Sequence, residues 1–487
     1  MSRFNAKTKT APVKTTSYEG GTLWEKKLEE EWVNFLFSSM LTGGFYESDD
    51  TQIARYLELT DAMLDKYGAD FVAKAAVFSR NELGLRTISQ LTAAKVNDTQ
   101  FENKRYFFSK YFRRVDDVAE VFGAVDAFGS GKRSHALVRG AADYLSRQSA
   151  YSLGKYKMAG KEYNLFDLIN ITHAHSDAID SYKRGTLETP DTWETAISAS
   201  KSPEEKSKEW TRLVEENRLG YLALIRNLRN IVNAAPSNDW IRTVLCPAVE
   251  NEAAIRKSLI FPYQIYVAWF NLGDCSLQLR ASLDTAFRIA VENMPELEGD
   301  TAIILDVSAS MDSAISDRSN IRIKQLSAVY GVAIYLKNPS CKLIKFGNHA
   351  KEFFVDSKSD VFTMIERFYD NDGCGYGTDI APAVRVLEDE DKTFARIFLI
   401  SDMQIMDPSC GVVSYWMHCD HSSMDRYMET HRGTRLYSYD LGNYKGKISK
   451  VRGRLVMLTG LSEKVFDMIK LIENGGNLVD MIRNYTY

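Results

Sequence analysis

Three oxygen-bearing side chains at alternate positions follow a short apolar segment of this chain, and together they could bind a metal ion. The segment Thr301–Leu305 predicts a buried strand, and it leads directly into Asp306, Ser308 and Ser310. In an open α/β sheet, ligands bind just beyond the carboxyl ends of the strands. One carboxylate and two hydroxyls at that position offer only oxygen atoms, which suits Mg²⁺ or Mn²⁺.

Two later side chains stand where they could complete this site. Thr378 lies in a glycine-rich loop, and Asp402 follows a second apolar segment, 395–401. This order of residues resembles the metal-ion-dependent adhesion site of von Willebrand factor A (vWA) domains. The alternative is an unrelated α/β domain whose strand-end Asp and Ser side chains cap helices. The resemblance implies one divalent cation shared by Asp306, Ser308, Ser310, Thr378 and Asp402.

The elements around these residues alternate between strand and helix over residues 298–487. Apolar segments predict strands at 301–306, 341–346, 395–401, 434–439 and 454–458. Amphipathic segments predict helices at 322–337, 358–369, 379–388 and 461–473. The alternation predicts a doubly wound, Rossmann-like parallel sheet with helices on both faces.

Residues 18–297 have a different pattern, in which apolar residues recur at three- and four-residue spacing. Short amphipathic helices without a heptad pattern predict an α-solenoid of HEAT-like repeats, and the absence of a fixed period makes those repeats degenerate. Residues 1–17 are basic and rich in Thr, which predicts a flexible arm.

Short segments of the helical part resemble, in order, those of the TROVE-module proteins, the Ro autoantigen family with its bacterial and phage relatives. These segments are Leu41–Tyr46, Ala136–Tyr144, Lys155–Lys157 with Asp167–Ile169 and His173, and Leu224–Leu228. Together with the vWA pattern, the resemblance covers nearly the whole chain.

The chain also departs from the family at several positions. Relatives often carry a second basic residue where Met158 and Ala159 stand here, although Lys161 could replace it. The family's His-Pro pair on a late helix is Phe-Pro at Phe261, and residues 403–405 lack the acid common in relatives. Metal affinity and RNA selectivity are therefore expected to differ from those of the family.

The resemblance implies a ring of helical repeats closed by the vWA domain. Family members bind single-stranded RNA 3′ ends in the central channel and small structured non-coding (Y) RNAs on the outer basic surface. The resemblance also implies a monomer, with an exoribonuclease or another RNA-processing protein as a further partner. The RNA-binding residues that we expect are Lys132, Arg133, Arg139, Lys155, Lys157, Lys161, His173 and Arg226.

Local charge favours RNA binding independently of the resemblance. Residues 104–161 contain twelve Lys or Arg and five Asp or Glu, an excess of seven positive charges. Aromatic residues between them could stack on unpaired bases, namely Tyr106, Phe107, Phe108, Tyr111, Phe112, Tyr156 and Tyr163. The alternative is a solvated helix face above ordinary aromatic core packing.

Composition limits the class of protein. The 487 residues are 45% hydrophobic and carry a net charge of −4, so the chain as a whole is not a basic nucleic-acid binder. No segment predicts a signal peptide or a membrane span, and six scattered cysteines predict a reducing cytoplasm. A zinc site at Cys410, His418, Cys419 and His421 is a further alternative, with an awkward adjacent His-Cys pair.

These observations favour an RNA-binding scaffold without catalytic activity, which serves RNA quality control or processing. A second hypothesis is a metal-dependent adhesion or assembly module that does not bind RNA. A third, a metal-assisted phosphoesterase, is disfavoured because the sequence shows no close carboxylate pair of the kind that two-metal centres use.

Overall fold

The computed structural model contains a helix-rich part and a six-stranded mixed sheet. It describes residues 13–487 except 19–20, 38–47, 157, 159, 189, 295, 316–318, 407–421, 443, 445, 452, 460–463 and 475–477. The possible zinc ligands from Cys410 to His421 and the predicted RNA ligand Lys157 lie outside the described residues.

A small antiparallel hairpin, β1 (Lys14–Thr16) and β2 (Thr22–Trp24), precedes the helices. It is bonded to segments far along the chain: the Ser17 hydroxyl donates to the Ile405 carbonyl at 3.0 Å, 388 residues away. The Trp24 indole N–H donates to Asp425 at 2.8 Å. Residues 14–17, which we expected in a flexible arm, are therefore part of a hairpin, because these distant partners satisfy its polar groups.

The next 265 residues or so are helical. Many of these helices begin after a Ser or Asn side chain that accepts a first-turn N–H, as Ser134 and Asn164 do. Within the described residues, no helix has the length and apolarity to cross a membrane. The helices are α1 (Leu28–Phe37), α2 (Asp49–Asn81), α3 (Thr87–Asn97), α4 (Lys104–Tyr111), α5 (Val115–Phe128), α6 (His135–Leu145), α7 (Ala150–Lys155), α8 (Leu165–Thr172), α9 (Asp177–Lys183), α10 (Trp193–Ala199), α11 (Pro203–Glu215), α12 (Tyr221–Arg226), α13 (Leu228–Ala234), α14 (Asn238–Trp240), α15 (Cys246–Val249), α16 (Glu252–Ser258), α17 (Pro262–Leu272) and α18 (Leu277–Glu292), with a π-helical turn, Ile241–Leu245, between α14 and α15.

The C-terminal part contains the sheet. Its elements are β3 (Thr301–Asp306), α19 (Ile323–Lys337), β4 (Lys342–Phe346), β5 (Ala350–Glu352), α20 (Val361–Tyr369), α21 (Ala381–Glu388), β6 (Arg396–Ser401), α22 (Ser423–Thr430), β7 (Arg435–Asp440), β8 (Leu455–Thr459), α23 (Lys464–Glu473) and α24 (Leu478–Asn484). The strand order is β5-β4-β3-β6-β7-β8, and only β5 pairs antiparallel. The sheet is thus mixed, whereas the sequence predicted a parallel one.

Alternate residues of the central strands pack into two separate cores. Ile303 and Leu305 lie in the same core as α19 and α20, while Ala302 and Ile304 pack with residues of α21 and α22. Helices therefore cover both faces, as expected of a strand whose residues are apolar on both sides.

Both ends of the helical part are attached to the C-terminal part. At the first end, the Thr459 hydroxyl donates to the Asn34 carbonyl at 2.6 Å, and Tyr485 donates to Glu82 at 2.8 Å. At the last end, Arg280 pairs with Asp360 at 2.6 Å, and the rings of Trp269 and Phe362 stack with centroids 4.4 Å apart. The helical part therefore begins and ends on the same C-terminal part.

Candidate functional sites

The first candidate site lies at the carboxyl end of β3. Asp306 is completely buried; its Oδ1 accepts the Ser308 backbone N–H at 2.9 Å, and its Oδ2 accepts the Ser401 hydroxyl at 2.6 Å. The hydroxyls of Ser308 and Ser310 are 3.4 Å apart. The chain turns sharply after the strand, so the three predicted ligands from this segment are brought together.

Asp402 joins this cluster from the neighbouring strand. It follows β6, which pairs in parallel with β3, and its side chain is 1% exposed. Burial is the largest cause that raises the pKa of Asp402, and the negative charge of Asp306 raises it further. Burial also raises the pKa of Asp306. The two carboxylates therefore lie at the same edge of the sheet, where each is within range of the other's charge.

The loop that contains Thr378 is hydrogen-bonded to the two segments that carry the other predicted ligands. The Tyr376 carbonyl accepts the Ala309 N–H at 3.0 Å, and the Thr378 carbonyl accepts the Met406 N–H at 2.8 Å. Gly375 adopts a φ of +87°, which favours glycine and allows this tight loop. Thr378 is buried, and its backbone carbonyl ties the loop to the segment that follows Asp402.

The donor set fits a hard divalent cation. In the part of the chain that the structure describes, no group of three or more His, Cys, Asp or Glu side chains could hold a metal, so the donors would be two carboxylates supplemented by hydroxyls. Burial is the main cause of the raised pKa of both Asp306 and Asp402, and hydrogen bonds from neighbouring groups offset it only in part. Two interacting buried carboxylates favour either a proton or a cation between them.

Two contributors to this site were missed from the sequence. Ser401 is bonded to Asp306, and its place directly before Asp402 on a predicted strand could have identified it. Asp440 ends β7, and its charge also raises the pKa of Asp402. The buried ammonium of Lys26 pairs with Asp440 at 3.1 Å, a contact across 414 residues that no local pattern could reveal.

The predicted RNA-binding residues of the helical part fall into two classes. Lys132, Arg139 and Lys161 are exposed and form no ion pair with a described residue; His173 is also exposed, at the end of α8 with a φ of +57°. Such groups are available to phosphate.

The other class is already paired within the protein. Arg133 pairs with Asp126 at 2.6 Å and donates to the hydroxyl of Tyr163, and Lys155 pairs with Glu194 at 3.1 Å. Their positive charges are therefore partly neutralised before any ligand arrives.

The structure also separates these residues in space. The bond between Arg133 and Tyr163 places the loops before α6 and α8 together, so Lys132 and Lys161 lie at one end of these helices. The His175 N–H donates to Ser146 at 3.2 Å and joins the opposite ends, where His173 lies. The predicted set therefore covers two edges of the helical stack.

The expected aromatic stacking surface is wrong for most of its members. Phe107, Phe108, Tyr111 and Phe112 are buried in the core of the helical part. Tyr106 is 51% exposed but stacks on Tyr487 at 5.9 Å. These aromatic residues recur along the helix because they pack against neighbouring helices in the core. This packing is the alternative interpretation given for the sequence.

Arg226 lies in a separate cleft of about 440 Å³ between α12, α13 and α17. The cleft has no acidic residue in its lining, which consists of Ile225, Arg226, Arg229, Asn230, Tyr263, Gln264, Val267, Ala268 and Asn271. Both arginines are exposed and form no ion pair with a described residue. Glu215 and Glu216, the carboxylates that could have paired with Arg226, bind Trp240 and Arg212 instead.

Comparison with known proteins supports the resemblance in the second half of the helical part and in the fold of the chain. Residues 155–281 match the family model described as the TROVE domain. No curated protein sequence matches the chain. The crystal structure of the Deinococcus radiodurans RO (RSR) protein matches with a TM-score of 0.63 and 16% identity, covering 90% of this chain and 97% of that one. The resemblance predicted from the sequence is thereby confirmed: residues 155–281 match the TROVE domain, and the chain shares the fold of this bacterial Ro protein.

Proposed function

We propose that this protein is an RNA-binding scaffold whose HEAT-like helical part forms a ring closed by a vWA-like domain. The observation that carries the proposal is the cleft that Arg226 and Arg229 line together with amide side chains, in which no described lining residue is a carboxylate. Such a cleft attracts a phosphate group, because its two guanidinium groups are positively charged. The attachment of both helical ends to the C-terminal part supports ring closure.

The cleft would hold the 3′ end of a single-stranded RNA in the channel. The fold shared with a Ro protein and the TROVE match over residues 155–281, which include the cleft, support RNA as the ligand. Small structured, Y-like RNAs would bind outside, on the exposed Lys132, Arg139 and Lys161, which form no ion pair within the described part of the chain, together with His173. Arg133 and Lys155 would be secondary contacts there, and Lys157 stays a predicted contact outside the described residues.

At the strand-end site, Asp306 and Asp402 with Ser308, Ser310 and Thr378 would hold Mg²⁺ or Mn²⁺, some of them through water. The cation would supply a fixed positive charge, and Ser401 would orient Asp306. A metal-dependent assembly module remains the second candidate, because the same site could receive a carboxylate from a partner.

We further propose that the protein is not an enzyme but presents RNA to an exoribonuclease or a similar partner, as a cytoplasmic monomer. The four described cysteines are free, which fits a reducing compartment. Cleavage of a labelled RNA by purified protein with Mg²⁺ or Mn²⁺, lost in Asp306→Asn, would contradict the non-catalytic assignment.

The channel is tested with a single-stranded oligoribonucleotide that has a free 3′ hydroxyl, against a blunt duplex. Arg226→Ala with Arg229→Ala should weaken single-strand binding by roughly tenfold or more, since bonds to charged groups contribute about 1.5–3 kcal/mol, and should spare the duplex. Arg242→Ala is the matched control, because Arg242 is exposed and paired with Asp239. Unchanged single-strand affinity would remove the channel from the proposal.

A further inference from the structure

A third acidic side chain lies beside the two carboxylates of the strand-end site. Asp440 ends β7, which pairs in parallel with β6, and the register sets it opposite Ser401, the residue before Asp402. Because β3, β6 and β7 are parallel neighbours, Asp306, Asp402 and Asp440 all lie at the same edge of the sheet. The edge therefore carries three acids, although the sequence pattern of the site contains only two.

The turn after β7 packs against Asp402. The Leu441 N–H donates to the Ser401 carbonyl at 3.1 Å, so the chain after Asp440 follows the end of β6. A Cβ atom at Gly442 would lie 3.2 Å from the Cβ of Asp402, so this turn touches that residue directly. Burial is the largest cause that raises the pKa of Asp402, and the charge of Asp440 is among the others. The two carboxylates are therefore within electrostatic range of each other.

Both carboxylate oxygens of Asp440 are bonded within the protein. Its Oδ2 accepts a hydrogen bond from the Lys26 ammonium at 3.1 Å, and its Oδ1 accepts the Gly442 N–H at 3.1 Å. The Lys26 ammonium also donates to the Tyr444 carbonyl at 2.8 Å. The side chains of Lys26 and Asp440 are each 2% exposed, so salt and water screen this ion pair very little.

The Lys26 ammonium decides how much negative charge a cation meets at this edge. Asp306 and Asp402 supply two negative charges, and the charge of Lys26 cancels that of Asp440. Two negative charges balance a divalent cation, whereas an uncancelled Asp440 would add a third and favour a trivalent one. The electrostatic energy scales with the product of the charges, so the loss of one ammonium changes the two cases by different amounts.

We propose that Lys26 determines the charge specificity of the strand-end site: it neutralises Asp440, so that the site prefers a divalent to a trivalent cation. The inference rests on the cation site of the proposed function. Lys26 is a positioning residue, because it acts through Asp440 and belongs to the segment between β2 and α1. The first end of the helical part thus contributes to a site of the C-terminal part.

The experiment measures the affinity of the full-length protein for Mn²⁺ and for Tb³⁺ by calorimetry at one fixed pH. In Lys26→Met the affinity for Mn²⁺ should rise by roughly five- to 150-fold, the usual range of coupling between two sites. The change in the logarithm of the affinity should be about 1.5 times as large for Tb³⁺, in proportion to its charge. Asp440→Asn should weaken binding of both ions. The double variant should return both affinities close to those of the wild type.

Lys447→Met is the matched control. Lys447 also joins the C-terminal part to the first end of the helical part, but its partner, at 2.6 Å, is Glu30 on α1. Both affinities should therefore stay unchanged. Lys26→Arg keeps the positive charge and should keep the selectivity of the wild type. Thermal unfolding without metal establishes that each variant is folded.

Unchanged affinities in Lys26→Met, or equal logarithmic changes for the two ions, would overturn the proposal and leave the cation site standing. If Lys26→Met does not fold, Asp440→Asn decides the question, because undiminished cation affinity in that variant contradicts the proposed role of the ion pair. A wild type that binds neither ion would refute the cation site of the proposed function, and this inference with it.

Discussion

The strand-end site and the outer surface of the helical part hold their charges in opposite ways. Asp306 and Asp402 are almost completely buried and interact with each other, whereas Lys132 and Arg139 are exposed and pair with no described residue. A buried charge must be neutralised by a group close to it, so the carboxylates of the strand-end site determine both the charge and the position of their ligand. Exposed charges act through solvent over several ångströms, so they select a ligand by little more than the sign of its charge.

This difference decides how each region should respond to mutation. A single change in the strand-end site removes part of a closed set of ligands, so its effect should be nearly complete. A single change on the outer surface removes one of several similar charges, so its effect should be small and dependent on salt.

Removal of the Asp306 charge should therefore have the largest effect. Asp306→Asn keeps the shape of the side chain but removes a charge that binds a divalent cation. A cation that binds only the folded protein adds about 2.7 kcal/mol to the free energy of unfolding at 100 times its Kd. We expect the wild type to gain stability of that order from Mg²⁺ and the variant to gain none, as measured by thermal unfolding.

Asp391→Asn is the control for this experiment, because Asp391 is an exposed acid in the loop before β6. It should keep the full Mg²⁺ effect. A stabilisation of Asp306→Asn equal to that of the wild type would show that the cation binds elsewhere, and the contrast between the two regions would be lost.

The metal-free protein should show a smaller effect that depends on pH. Burial raises the pKa of Asp306 and Asp402 above the unfolded value of about 3.9, so above that pH the folded state binds more protons than the unfolded state. The free energy of unfolding should then fall as pH rises from about 4 until both carboxyls are ionised, by about 1.4 kcal/mol per unit of pKa difference. Mg²⁺ affinity should rise over the same range, because protons compete with the cation.

Denaturant unfolding in EDTA at a series of pH values measures this effect as the difference between wild type and Asp306→Asn. The variant should depend less steeply on pH. If the wild type instead gained stability relative to the variant as pH rose, the carboxyls would already be neutralised by an internal partner.

The central strands could be predicted from the sequence because they are buried on both faces. The segment predicted at 395–401 is β6, Arg396–Ser401, and a strand of this kind reads as a continuous apolar run. The edge strand β5 was missed because Ala350–Glu352 is short and partly exposed, without an apolar pattern. The hairpin β1–β2 was missed because its partners lie about 400 residues away.

The candidate sites show the same limit. Asp306, Ser308 and Ser310 are local in sequence, and their spacing alone placed them together. The pairing of Lys155 could not be predicted, because Glu194 lies outside the basic segment and reaches it only through the fold. Composition counts charges, but only the structure shows which of them are already neutralised.

The smallest effect concerns that distinction among the helical cations. Each phosphate contact made by a free charge contributes about 0.7–0.9 to the slope of log affinity against log salt concentration. Replacement of Lys132, Arg139 and Lys161 by Ala should therefore lower the slope for a structured RNA by roughly two to three. The double replacement of Arg133 and Lys155, which are paired with Asp126 and Glu194, should lower it by less than about one.

Fluorescence anisotropy of a labelled hairpin RNA over a range of salt concentrations measures both slopes. Lys206→Ala with Lys208→Ala on α11 serves as the control for a general loss of surface charge, since both residues are exposed. An equal loss of slope per charge in the free and the paired sets would mean that RNA opens the internal ion pairs when it binds. The exposure and ion pairing of a residue in the unbound protein would then not predict how much it contributes to RNA binding. Arg133 and Lys155 would count as RNA contacts equal to the others. A loss confined to the free set requires that the phosphate backbone follow those free charges, along the edge where the loops that carry Lys132 and Lys161 lie together before α6 and α8.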